Sequence, residues 1–281
     1  MSDKSILVHF NDEHRAAAML RAGLGIARAC SAHLTGLAVL PPVIIVPDTE
    51  GSSGAVIDDH RESYRPQLAR MRMSFKEGAD AVGVAAEWRE LDCQTENPFG
   101  DVAGVAVDQA RAADLVIASQ ANPAWKLSGY LDVAENLILE SGRPVLLMPK
   151  SGVGGDLGKR ALVAWNNTRE STRAIFDALH LLRMAEQVLV VTVDHGSDEQ
   201  LKLPMADICK ALARQGVKVE AIPSIQAQTG VGRALLETAF TRRADMLVMG
   251  CYGHSRLREF LLGGATRHVL EHAKIPLLMS H

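Results

Sequence analysis

The sequence predicts an α/β protein made of two doubly wound domains in tandem, each built on a five-stranded parallel sheet. Three observations predict it. The 281-residue chain repeats itself in three matched segments that keep one order. Strand-like and helix-like segments alternate five times within the second copy, the pattern of a parallel sheet covered by helices. The composition, 47 % hydrophobic and 22 % charged, is that of a folded chain with a sizeable core.

The repeat is read first, because missing one misassigns the whole fold. Lys4-Ser-Ile-Leu-Val-His-Phe-Asn11 matches Lys159-Arg-Ala-Leu-Val-Ala-Trp-Asn166, an offset of 155. Arg111-Ala-Ala-Asp-Leu-Val-Ile-Ala-Ser119 matches Arg242-Arg-Ala-Asp-Met-Leu-Val-Met-Gly250, an offset of 131. Arg143-Pro-Val-Leu-Leu-Met148 matches Ile275-Pro-Leu-Leu-Met-Ser280, an offset of 132. The copies are assigned to residues 1–150 and 158–281, joined by the glycine-rich segment 151–158. The drop in offset gives the first copy 24 extra residues. Pro41 to Ser63, with Pro41-Pro42, Pro47 and Gly51-Ser-Ser-Gly54, has the loop chemistry to hold them.

The second copy is then read in order. Arg160 to Trp165 is a short apolar strand. Ser171 to Arg183 carries Ile175, Ala178, Leu179 and Leu182 at helical spacing. Gln187 to Val193 is β-branched and fits a strand buried on both faces. Asp198 to Gln215 is helix, stopped by Gly216. Val217 to Ile222 alternates as a strand. Val231 to Arg243 is helix, Met246 to Met249 strand, Ala265 to Ala273 helix and Ile275 to Met279 strand. The first copy follows the same plan.

Composition excludes several classes. The net charge of −3 gives no broad basic surface for nucleic acid. No 18-residue apolar stretch is present, so no membrane span is expected. Met1 to Val8 runs straight into a strand with no signal pattern, which makes the cytoplasm the expected compartment. The four cysteines form no CxxC pair. Aromatics are only 4 %, so the cores are expected to rest on Ala, Val, Leu, Ile and Met.

Ligands of an open parallel sheet bind beyond the C-terminal ends of the strands, at the switch point in strand order. The richest loop there runs from Gly250 to Thr266, between a predicted strand and a predicted helix. Its glycines 250, 253, 263 and 264 leave backbone N–H groups open, and a helix start favours phosphate. Spacing alone leaves open whether these glycines bind phosphate or only permit tight turns. Gly250, two residues, Gly253, nine residues, Gly263 resembles the nucleotide signature of the universal stress proteins, and nearly the whole chain resembles two such domains in tandem. The family pattern has Ser or Thr after the third glycine; Gly264 stands there, with Thr266 two places on.

The resemblance implies an adenine nucleotide alpha hydrolase-like fold with strand order 3-2-1-4-5. It implies a site made of Asn166, Val193, Met249, Gly250, Gly253, Gly263, Gly264, Ala265 and Thr266. Asn166 stands where the family tends to carry Asp. The ligand implied is an adenine nucleotide, ATP first, with Mg2+ as its companion ion. In the first copy Ser119 and Asn122 replace the first two glycines, so that copy is expected to have lost the site. It would serve as partner in an internal pseudo-dimer through Val145 to Met148 and Leu277 to Met279, alone or in a homodimer. The function implied is a stress-response sensor or regulator acting on unknown protein partners. Alternatives are a nucleotide-free scaffold and a slow ATP hydrolase. No catalytic set and no metal site is assigned. His268 and His272 share a helix face, and Cys251 lies within the glycine loop, but neither is enough for a metal or redox assignment.

Overall fold

In each repeat the first apolar run becomes a strand at the middle of its sheet. A computed structural model describes residues 4–42, 44–46, 55–57, 59–96, 101–124, 128–152, 157–194, 205–228, 230–251 and 264–281. The chain divides into two compact units, Asp3–Ser141 and Gly142–His281.

The first unit contains β1 (Ser5–His9), β2 (His33–Leu40), β3 (Ala86–Asp92) and β4 (Leu115–Ser119), all parallel, in the order β3-β2-β1-β4. The second contains β5 (Val145–Met148), β6 (Arg160–Ala164), β7 (Gln187–Val191), β8 (Val219–Ala221), β9 (Met246–Gly250) and β10 (Leu277–Ser280). Their order is β8-β7-β6-β9-β10-β5. The five strands of the second repeat are parallel and follow the expected 3-2-1-4-5 order. β5 runs antiparallel to β10, with Leu147 opposite Leu277 and Leu146 opposite Leu278. The last strand of the first repeat thus packs, as expected, against the last strand of the second.

Both faces of the central strands are apolar, as buried parallel strands require. Ile6, Val8, Leu162, Val163, Leu247 and Val248 are all buried. The longer helices are α1 (Glu13–Cys30), α2 (Asp59–Val82), α3 (Val102–Ala110), α4 (Ala134–Glu140), α5 (Arg169–Asp177), α6 (Leu179–Met184), α7 (Met205–Arg214), α8 (Val231–Thr241) and α9 (Gly264–His272), with single helical turns at Cys93–Glu96 and Ser128–Leu131.

The repeat is visible in matching hydrogen bonds. Asp114 accepts from the backbone N–H groups of Lys4 (2.9 Å) and Ser5 (3.0 Å). Asp245 accepts from those of Lys159 and Arg160, both at 3.0 Å. Each carboxylate therefore fastens the start of the central strand to the turn before the fourth strand. This is a physical reason for the Arg-x-Ala-Asp match between the copies.

Several expectations are corrected. The single helix expected over Ser171–Arg183 breaks at Ala178 into α5 and α6. Thr168 caps α5 with a capping box to Ser171, so the helix begins at Arg169, two residues before the expected start. The strand expected through Val193 leaves the main sheet after Val191; Val193–Asp194 pairs instead with Ile225–Gln226. The insertion is not all loop. Ile44–Val46 pairs antiparallel with Ala55–Ile57, and helix begins at Asp59. The first core is also more aromatic than composition suggests. Phe10, Phe75 and Trp88 meet with ring centroids 5.3–5.9 Å apart. Gly36 on β2 makes room for them, since a Cβ there would lie 2.7 Å from Trp88 Cε3 and 2.9 Å from Phe75 Cε2.

Candidate functional site

The second repeat reverses direction between β6 and β9, so the switch point lies at their C-terminal ends. Val163 on β6 is in register with Val248 on β9, and Ala164 with Val191 on β7. The Trp165 N–H donates to the Val191 carbonyl at 2.8 Å. Asn166, Val193, Met249 and Gly250 therefore come out at one end of one sheet. Asn166 is exposed, and its Oδ1 accepts from the Thr168 hydroxyl at 2.8 Å. Asn167 beside it takes a left-handed backbone, φ 55°.

Gly250 is the last residue of β9 and Gly264 the first of α9. Gly253 and Gly263 lie outside the described residues, as do Arg256 and Arg258. The two end glycines sit in different surroundings. Among the described residues a Cβ on Gly264 would meet nothing within 4 Å, whereas a Cβ on Gly250 would lie 2.4 Å from the Glu170 carbonyl carbon and 2.5 Å from the Ser171 nitrogen. Gly250 lets the first turn of α5 press directly on β9. Ala265 is half-buried, and its carbonyl would lie 2.6 Å from a Cβ on Gly232, where α8 crosses α9. Thr266 is buried, so its side chain belongs to the inner face of α9.

Glu170 is a charged neighbour that sequence reasoning missed. Burial alone would raise its carboxyl. Hydrogen bonds from its own backbone N–H and the Thr168 side chain, with Arg169 alongside, outweigh that and hold it below the ordinary range. Arg169 Nε donates to it at 3.2 Å. Its signal in the sequence is position alone: an acidic residue in the first turn of a helix.

Cys251 is not placed for redox chemistry. Its Sγ lies 3.3 Å from the Ser280 carbonyl oxygen. Burial, with the Glu170 charge, pushes its thiol up to about 12, so no thiolate forms near neutral pH. His268 and His272 stack at 4.3 Å, and His272 Nδ1 lies 2.9 Å from the His268 carbonyl oxygen. Among the described residues no three His, Cys, Asp or Glu side chains gather as metal ligands do.

The same end of the first sheet is built differently. Ser119 donates to Asn11 Oδ1 at 2.9 Å, and Asn11 Nδ2 donates to Asp132 Oδ1 at 2.9 Å. Arg15 pairs with Asp12 at 3.0 Å and with Asp132 at 3.3 Å. All three charged side chains are at most 8 % exposed. A buried ionic cluster thus stands at the end of the first sheet that corresponds to the end of β9 in the second repeat.

Residues 158–281 match the Universal stress protein family. No curated protein matches the chain. Among solved structures, a universal stress protein from Archaeoglobus fulgidus DSM 4304 superposes over 100 % of this chain and 96 % of its own, with TM-score 0.71 and 16 % identity. A functionally unknown protein from Pseudomonas aeruginosa PAO1 covers 99 % of this chain and 92 % of its own, with TM-score 0.62 and 17 % identity. At these identities the likeness is one of fold. Among the described residues no helix is long and apolar enough to cross a membrane. The second repeat, residues 158–281, thus matches the Universal stress protein family, and the chain shares its fold from end to end with a universal stress protein.

Proposed function

We propose that the second repeat binds an adenine nucleotide, ATP first, with Mg2+ on its phosphates, and that the chain acts as a stress-response sensor or regulator. The observation that carries this is where the glycine motif begins and ends. Gly250 closes β9 at the switch point, and Gly264 opens α9. A motif spanning a strand C-terminus and a helix N-terminus brings unpaired backbone N–H groups toward phosphate oxygens. Asn166 and the backbone of Val193 would face the adenine and ribose, with Met249 and Ala265 lining the site. Gly253 and Gly263 would supply the close approach, and Thr266 sits one turn inside. The family's hydroxyl after the third glycine is missing at Gly264, so the phosphates would rest on backbone donors. Among the described residues the sheet end offers no paired acid and base, so the role proposed is binding, and any hydrolysis would be slow.

The test uses protein purified without added ligand. Denaturing it, separating the released small molecules and quantifying adenine nucleotide per chain should give about one equivalent of a single-site ligand. A chain that releases none, and shows no heat of binding with ATP and Mg2+, overturns the proposal. The nucleotide-free scaffold would then stand in its place.

A further inference from the structure

We infer that the first repeat contains an oxyanion pocket whose ligand is the chain's own Asp132 carboxylate. The inference concerns the first repeat alone and does not rest on nucleotide binding in the second.

The pocket is built from four directions. Arg15, on the first turn of α1, reaches Asp132 Oδ1 at 3.3 Å while its Nε holds Asp12 at 3.0 Å. Asn11, after β1, donates its Nδ2 to the same Oδ1 at 2.9 Å and to the Leu131 carbonyl at 3.1 Å. The Asn122 backbone N–H donates to Oδ2 at 2.8 Å, and the Ser128 hydroxyl donates to Oδ2 as well. Arg15 also donates to the Gln120 carbonyl. Asp132 therefore accepts from a guanidinium, an amide, a backbone N–H and a hydroxyl, with its side chain only 5 % exposed. That mixed, convergent donor set is what proteins assemble around a phosphate or carboxylate.

Register says which position the carboxylate occupies. β4 and β9 are offset by 131 residues and β5 and β10 by 132, which puts Asp132 at the Gly263-Gly264 pair that ends the second repeat's glycine loop. The offset of 155 between β1 and β6 puts Arg15 at Glu170. The two partners are thus exchanged together between the repeats. Where the first has Arg15 and Asp132, the second has Glu170 and the Gly263-Gly264 pair. The glycine that would leave room for an outside oxyanion is replaced by a side chain that carries one, and a cation faces it. The first repeat is closed to external phosphate from within.

The experiment compares the full-length wild type with Asp132→Gly, which restores the register glycine and leaves a gap the size of acetate. The probes are acetate and inorganic phosphate, read as the shift in thermal midpoint with probe concentration. The variant should melt lower than wild type in chloride buffer and recover midpoint progressively as either probe is added, as a ligand that binds only the folded state requires. Any response shared with wild type belongs elsewhere and is subtracted. Adding Arg15→Gln to Asp132→Gly should abolish the recovery. A glycine variant that folds but shows no oxyanion dependence beyond wild type overturns the inference, as does recovery that survives loss of Arg15. Where Asp132→Gly does not fold in chloride, Asp132→Ser and refolding with and without phosphate read the same question. Folding that requires phosphate supports the pocket, and failure in both media overturns it.

Discussion

Gly250 and Glu170 touch through their backbones: a single Cβ added to Gly250 would lie 2.4 Å from the Glu170 carbonyl carbon. No flexible side-chain end stands in the way there, so nothing cheap can yield. Gly250→Ala should therefore cost about 1–3 kcal/mol as α5 is pushed off β9. Gly264→Ala, with nothing within 4 Å among the described residues, should leave thermal stability unchanged within error. Chemical denaturation of both variants checks this. Equal losses would show that the contact at Gly250 relaxes freely.

The same contrast decides how nucleotide binding is to be tested. A loss of binding in Gly250→Ala would be confounded by its loss of stability. Gly264→Val is the cleaner probe, because among the described residues its Cβ meets nothing within 4 Å. It should weaken ATP binding at least tenfold while the melting temperature holds. Calorimetric titration beside a melting curve separates the two, and unchanged affinity would move the phosphates away from this helix start.

The twin carboxylates Asp114 and Asp245 each hold two backbone N–H groups at 2.9–3.0 Å. Asp114→Ala and Asp245→Ala should each cost about 1–2 kcal/mol, because two donors lose their acceptor at once. They share no partner and lie in different units, so the double variant should lose the sum within about 0.5 kcal/mol. Urea unfolding of the two singles and the double checks it. A large interaction energy would mean that the two strand clamps report on one cooperative transition.

What was legible in the sequence was periodic or repeated. The β-branched runs gave the strands, the paired apolar segments gave the tandem plan, and Gly250 and Gly264 marked a strand end and a helix start. What was not legible depends on contacts between distant segments. Arg15 and Asp132 are 117 residues apart, so no local pattern joins them, and Asp132 reads as an ordinary loop residue until the fold sets it against Asn11. The packing reason for Gly250 was hidden likewise, since Glu170 meets it only across the sheet. Composition misled on the first core, because an average over 281 residues says nothing of Phe10, Phe75 and Trp88 gathering over Gly36.

Cysteine reactivity should follow burial rather than position in the glycine loop. Cys30, Cys93 and Cys251 are buried, whereas Cys209 on α7 is part-exposed. Burial raises Cys209 as well, but its sulfur is open to reagent. Alkylation of the folded protein at pH 8, followed by peptide mass mapping, should label Cys209 first and leave Cys251 unmodified until unfolding. Fast labelling of Cys251 would restore it as a redox candidate.

His9 sets the acid limit of the first repeat. It is fully buried at the end of β1, and its Nε2 has no hydrogen-bond partner among the described residues. Burial, with the Arg15 charge nearby, lowers its pKa from 6.5 to about 4. The unfolded chain therefore binds a proton between those two values that the folded chain refuses. Stability is full above pH 6.5 and falls as pH drops toward 4, where this one group has removed about 3 kcal/mol. His9→Gln, which cannot take up the proton, should flatten that part of the stability profile while leaving the slope above pH 7 unchanged. Denaturant unfolding at half-unit steps from pH 4 to 8 for both proteins checks it. A variant whose profile parallels wild type from pH 6.5 down to 4 would show that other groups carry the acid sensitivity.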